Sequence, residues 1–200
     1  MIILSNNQYI YKPIEEKLAF FNALYKRDNQ LAPSEHYLAV RRYLQNDGEW
    51  GNWQSLALQG IADLVARLDR DDNSKLLSQA FPHLPLEVAN KTLELLEHAK
   101  LDQQLSHVIA SLHQQQLLSN EELASLYLRA LAGASVKPLT QQAIKQQLAN
   151  ANSIHSFIAV AGRLWQSLSD PHLLKYFFET IADQNDPELF QQIFADLVFI

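Results

Sequence analysis

Residues 153–168 read SIHSFIAVAGRLWQSL, and their apolar side chains recur every three or four positions. An α-helix places such positions on one face, so this stretch predicts an amphipathic helix that buries one side. Similar stripes occupy residues 171–184 and 187–198. No segment of the sequence shows the sustained period-two alternation that is typical of strands. The predicted fold class is therefore all-α.

The same periodicity, supported by the placement of proline, predicts about eleven antiparallel helices. Six of the seven prolines stand at or just before the start of a periodic run, where the missing N–H costs no helical hydrogen bond. Connectors of a few residues make sequential helices antiparallel neighbours. The predicted helices span approximately 13–28, 34–46, 52–68, 73–81, 86–99, 102–115, 120–131, 138–149, 154–168, 171–184 and 187–198.

From residue 53 onward the predicted helices also pair with a regular period. The first helices of successive pairs begin near Trp53, Pro85, Ser119, Ser153 and Pro187, about 34 residues apart. Helix pairs of this length predict an α-α superhelix of HEAT-like helical repeats, and an irregular helical bundle is the alternative. We expect a single all-helical domain over 1–200, with an N-terminal helical pair in 1–50 and helix-pair repeats in 51–200.

Composition narrows the function classes. The net charge of −6 disfavours binding to a phosphate backbone, so no nucleic-acid partner is expected. The absence of cysteine excludes disulfides and thiolate metal sites. The first residues lack the pattern of a signal peptide, and no apolar run approaches the ~18 residues of a membrane span. We therefore predict a cytoplasmic protein without a membrane partner.

One segment resembles the start of a calcium-binding loop. Asp69, Asp71 and Asn73 alternate as oxygen ligands do, but Ser74 and Ala80 stand where such a loop needs Gly and Glu. We interpret the segment as the turn before a helix, capped by Asn73 or by the aspartate before it. The seven histidines contain no i, i+4 pair. We predict no catalytic residue, cofactor or metal ligand, and enzymatic activity is disfavoured.

The most distinctive stretch is GEWGNWQSLALQGIADLVARL, residues 48–68. Trp50 and Trp53 lie beside a glycine-containing turn and lead into a long apolar helix. In one interpretation Trp53 anchors the core and Trp50 covers the start of the helix. In the other they bind a partner, together with Arg41 and Arg42 just upstream, because Trp and Arg are favoured at interface hot spots. These four residues are the candidate partner-binding residues, and both interpretations stay open.

The stretches NQYIYKP and HYLAVRRYLQNDGEWGNWQSLALQGIADLVARLD, between Asn7 and Asp69, resemble the C-terminal helical region of an uncharacterised bacterial protein family of unknown function. Members of that family are longer and begin with a partly β-stranded region. The resemblance implies a bacterial, cytoplasmic origin and a chain that is one domain of a larger protein. It supplies no activity and no functional residue.

The expected function is a non-catalytic protein–protein interaction or scaffold module that binds another protein or an adjacent domain. The apolar end, Leu197 to Ile200, predicts either a fold-back contact or a homodimer formed through the C-terminus. The alternative is a small-molecule binder or enzyme that uses a cleft between helix pairs. Such a cleft would be lined by convergent polar groups, such as Arg41, Arg42 or His155.

Overall fold

A computed structural model of the chain describes residues 14–45, 50–151, 153–184 and 186–198. These ranges contain eleven α-helices, numbered here α1 to α11 in chain order, and no β-strand. The all-α prediction is confirmed. The helices are Glu15–Asp28, Tyr37–Leu44, Leu58–Val65, Asn73–Ala80, Leu86–Leu96, Gln103–Gln116, Glu121–Ala130, Lys137–Ala149, Ile154–Arg163, Pro171–Ala182 and Pro187–Val198.

Two predicted helices contain a 3₁₀ segment in the structure and are therefore shorter. Helix α3 begins at Leu58 instead of residue 52, because Trp50–Ser55 forms a 3₁₀ segment that is kinked at Asn52. Helix α9 ends at Arg163 because the backbone of Leu164 leaves the helical region, with φ −112° and ψ 15°. In both places, aromatic residues that continue the apolar periodicity lie in a 3₁₀ segment.

The helices pack in two rows. In the described part of the chain, one row contains the odd-numbered helices α1 to α11, and each of them contacts its odd-numbered neighbours. The other row contains the even-numbered helices α2 to α10, which contact one another in the same way. Buried side chains form a hydrophobic cluster that extends from Ala19 to Ile193. A superhelical coil of the rows stays a prediction. The irregular-bundle alternative is consistent with helices of 8 to 14 residues.

The turn before α4 is held by α2 and not by a helix cap. Asp72 stands at the N-cap position with φ 56° and makes no side-chain cap hydrogen bond. Asn73 is buried, donates from Nδ2 to Tyr37 Oη at 2.9 Å, and accepts a hydrogen bond from Arg41. The segment is therefore a turn between helices, as predicted, but the predicted side-chain cap is wrong.

Within the described residues, none of the helices combines the length and the apolar character needed to cross a membrane. Three predictions fall partly outside the residues that the structure describes. They concern the start of the first helix at Pro13, the beginning of the tryptophan-containing stretch at Gly48, and the apolar end at Phe199 and Ile200.

Candidate functional site

Trp50 and Trp53 are both half-buried and pack against the core. The Trp50 ring lies edge-on to Tyr43, with centroids 5.4 Å apart, and stacks on His83 at 6.4 Å. Trp50 and His83 also line an open cavity of about 570 Å³ between the end of α2 and helix α4. These contacts tie Trp50 to α2 and to the segment after α4, and a covering role at the start of the next helix stays a prediction.

Arg41 and Arg42 lie on α2 and have different surroundings. Arg41 donates to the carbonyl oxygen of Asp71 at 2.6 Å, and its guanidinium carbon lies 5.8 Å from the centroid of the Tyr37 ring. Arg42 is exposed. Neither arginine is among the residues that line the Trp50 cavity. Partner binding by Trp50, Trp53, Arg41 and Arg42 stays a prediction.

Two cavities lie on either side of α7 in the odd-numbered row, and we call them together the α5–α7–α9 groove. It consists of two cavities of about 310 and 340 Å³ that share Glu122 and Arg129 on α7. The α5 side adds Leu86, Asn90 and Glu94. The α9 side adds His155, Ile158, Ala159, Gly162 and Arg163, and α7 also adds Leu123, Ser125 and Leu126.

Two arginines of the groove are fixed by one buried carboxylate. Arg129 Nε donates to Glu97 Oε2 at 2.7 Å, and Arg163 donates from an Nη atom to Glu97 Oε1 at 3.0 Å. The Glu97 side chain is 5% exposed, whereas the two arginine side chains are about one-third exposed. Each guanidinium uses one nitrogen for Glu97 and has no other hydrogen-bond partner among the described residues, so further N–H groups remain for a ligand.

The protonation of Glu97 reflects this arrangement. Burial alone would raise the pKa of Glu97, but hydrogen bonds from His98 and Arg129 and the charges of Arg129 and Arg163 outweigh burial and lower the pKa to about 2. Glu97 is therefore a carboxylate at neutral pH. It holds both guanidiniums near the C-terminal ends of α7 and α9, where positive charge is also favoured by the helix dipoles.

Gly162 forms part of the groove wall and lies inside α9. A Cβ at Gly162 would meet no atom within 4 Å, whereas a Cβ at Gly60 in α3 would lie 2.7 Å from the carbonyl oxygen of His36. Close helix packing therefore explains Gly60 but not Gly162. Gly162 lies in the last turn of α9, is exposed, and leaves open space at the groove.

The α5 side of the groove contains hydrogen-bond acceptors without donors. Asn90 Oδ1 and Glu94 Oε2 are buried atoms that have no hydrogen-bond partner. Lys91 Nζ lies 3.6 Å from Glu94 Oε2, too far for a good hydrogen bond. Lys91 therefore faces the charge of Glu94, and Asn90 Oδ1 is the acceptor left without a donor among the described residues.

Apolar side chains lie between the polar groups of the groove. Leu86 on α5 is 54% exposed and Ile158 on α9 is 52% exposed. Leu126, on helix α7 between α5 and α9, is half-buried. The groove therefore has one exposed aliphatic side chain on its α5 side and one on its α9 side.

The sequence points to His155 of this groove but not to the two arginines. Arg129 and Arg163 are 34 residues apart, which equals the predicted repeat period, so they occupy matching positions in neighbouring odd-numbered helices. This coincidence of spacing is the signal that could have identified them. Their common contact, Glu97, is apparent only from the packing of α5 against α7.

The described residues contain no group of three or more His, Asp or Glu side chains placed to hold a metal ion. No curated protein and no solved structure matches the chain. A family model described as "Protein of unknown function (DUF3549)" matches residues 3–200. The match extends far beyond Asp69, and the expectation that the family places this region at the C-terminus stays a prediction. The chain belongs to the DUF3549 family of unknown function.

Proposed function

We propose that the chain is a protein–protein interaction module and that the α5–α7–α9 groove is the surface that binds the partner. The observation that carries the proposal is the pair of guanidiniums that Glu97 fixes at the groove, both one-third exposed with N–H groups to spare. Arginine is enriched at interface hot spots because its planar fork is rigid and weakly hydrated.

The shape of the groove supports a segment of another protein as the ligand. Packed helices lie 8–10 Å apart, so a groove across three of them extends over roughly 20 Å. Exposed Leu86 and Ile158 provide apolar contacts along this path. A segment of several residues fits this length better than a compact metabolite does. Location in the cytoplasm stays part of the proposal.

A small-molecule site in the half of the groove between α7 and α9 is the second candidate. That cavity of about 340 Å³ lies within the size range of ligand pockets and contains Arg129, Arg163 and His155. It would bind a compact anion and would leave the α5 side of the groove uninvolved.

Site-specific photocrosslinking in the cells that produce the protein tests the proposal. A benzophenone amino acid replaces Ile158 in the groove or, as a control, exposed Ser111 on α6 in the other row. We expect a discrete protein adduct from position 158 that weakens when Gly162→Leu fills the groove. Absence of an adduct at 158, or the same adducts from both positions, would contradict the proposal.

A further inference from the structure

The open space at Gly162 lies beside the two guanidiniums that line the same cavity. Gly162, Arg129 and Arg163 all line the half of the groove between α7 and α9. A glycine inside a helix costs about 1 kcal/mol relative to alanine. At Gly60 this cost is explained by backbone contact with His36, but no atom of the described chain occupies the space at Gly162. The space is therefore available to a ligand atom that approaches the α9 backbone.

The charges that α7 contributes to the groove have opposite signs at the two ends of this helix. Glu122 lies in the first turn of α7 and Arg129 in its last turn, about 10 Å away along the helix at 1.5 Å per residue. Arg163 joins Arg129 at the same end, and Glu97 beneath them neutralises one of the two positive charges. One positive charge is left over beside Gly162, opposite the acidic end at Glu122.

We propose that the groove recognises an acidic side chain within a partner segment, with its carboxylate seated over Gly162 and hydrogen-bonded by Arg129 and Arg163. This inference rests on the proposed partner-binding function. Guanidiniums match carboxylates geometrically, and hydrogen bonds between charged groups are about twice as strong as neutral ones. Glu97 already shows that both arginines can point at one carboxylate from two helices.

The rest of the segment runs toward α5. Its aliphatic side chains lie against Ile158 and Leu86, which are both exposed at the groove.

Selection of a random dodecapeptide library displayed on phage tests this inference. The targets are the wild-type protein, Gly162→Leu, Arg163→Gln and the control Gln115→Leu, which adds the same side chain to an exposed position on α6. Arg163→Gln leaves Glu97 paired with Arg129, so the fold is retained, and thermal unfolding checks each variant. The displayed peptides have no free C-terminus, so a terminal carboxylate cannot replace the acidic side chain.

We expect wild type and Gln115→Leu to enrich peptides that carry Asp or Glu beside aliphatic residues, and Gly162→Leu and Arg163→Gln to reduce that enrichment at least tenfold. A synthetic, C-terminally amidated winner should bind at least tenfold more weakly when its acidic residue becomes the amide. Enrichment that depends on Gly162 but contains no acidic residue would overturn this inference and leave the proposed function intact. Enrichment that is independent of the groove, or none at all, would overturn both.

Discussion

Arg129 on α7 donates from Nε to Oε2 of Glu97, at the end of α5, over 2.7 Å. The contact joins neighbouring helices of the odd-numbered row at the point where the groove has its positive end. It also fixes the guanidinium before any ligand arrives, which reduces the conformational entropy that binding would otherwise cost.

Glu97 predicts a specific acid sensitivity. Because its pKa is lowered to about 2, from 4.5 for an ordinary glutamate, Glu97 stabilises the fold fully above pH 4.5. This contribution, about 3 kcal/mol from the size of the shift, is lost as the pH falls from 4.5 toward 2. Glu97→Gln should therefore lower the free energy of unfolding at pH 7 and flatten its dependence on pH in this window. Denaturant unfolding at several pH values measures both effects.

Exposed Glu87→Gln on the same helix is the matched control and should leave the acid slope unchanged. An identical acid slope in wild type and Glu97→Gln would show that the carboxylate is not held by the two arginines.

The two helical glycines predict opposite effects of the same substitution. Gly60→Ala would place a methyl group 2.7 Å from a backbone oxygen, and it should lower the free energy of unfolding by roughly 1–3 kcal/mol. Gly162→Ala meets open space and should raise it by up to about 1 kcal/mol. Chemical denaturation of both variants measures the difference. Destabilisation by Gly162→Ala would mean that the space is used by the fold itself.

The buried ion pair of α3 predicts a large loss of stability. Arg67 lies 3.0 Å from Asp63 Oδ1, and Asp63 Oδ2 accepts the backbone N–H of Ser34 at 2.8 Å. Asp63→Ala removes both interactions and leaves a guanidinium buried without its partner, so the loss should be about 3–5 kcal/mol. The exposed Asp69→Ala is the control and should change stability by less than about 0.5 kcal/mol. A loss at Asp63 as small as the control would refute the pair's role.

His113 predicts a second pH dependence, in a higher window. His113 is fully buried on α6, and its Nε2 lies 2.8 Å from Gln147 Oε1, while Nδ1 has no hydrogen-bond partner. Burial lowers the pKa of His113 below 6.5, with the hydrogen bond to Gln147 opposing the shift. The unfolded chain therefore takes up this proton first, and stability should fall as the pH drops below 6.5.

The variant His113→Gln retains a partner for Gln147 without a titratable ring. Its unfolding free energy should vary less between pH 6.5 and 5 than that of the wild type, although the variant is less stable overall. An NMR titration of the His113 ring that gives a pKa at or above 6.5 would contradict the prediction.

The helices could be predicted from sequence because each buries a regular stripe. The predicted 187–198 is identical to Pro187–Val198, and the predicted 73–81 differs from Asn73–Ala80 by one residue. Residues 52–55 of the 3₁₀ segment were predicted as helix because Trp53 continues the apolar period, and periodicity cannot separate a 3₁₀ segment from an α-helix. Asn73 was predicted as a cap because a local pattern shows only its neighbours in the chain. Its hydrogen-bond partners Tyr37 and Arg41 lie more than 30 residues away and could not be foreseen.

The site was harder to predict than the fold. Trp50 and Arg41 attract attention because of their residue types, and the structure shows both in contacts that tie α2 to its surroundings. Arg129 and Arg163 lie in unremarkable helix ends, and their significance depends on Glu97, which no local pattern links to them. The sequence shows Gly162 within a predicted helix, but only the structure shows that no atom lies within 4 Å of a Cβ at this position.

The most direct test of the groove is to locate a bound peptide by NMR. Amide spectra of the ¹⁵N-labelled protein are recorded while the tightest phage-selected peptide is added. We predict that the shifted signals lie in residues 86–97, 121–130 and 154–163, on the three helices of the groove. Shifts confined to α4, α6 and α8, or to the residues around the Trp50 cavity, would contradict the account.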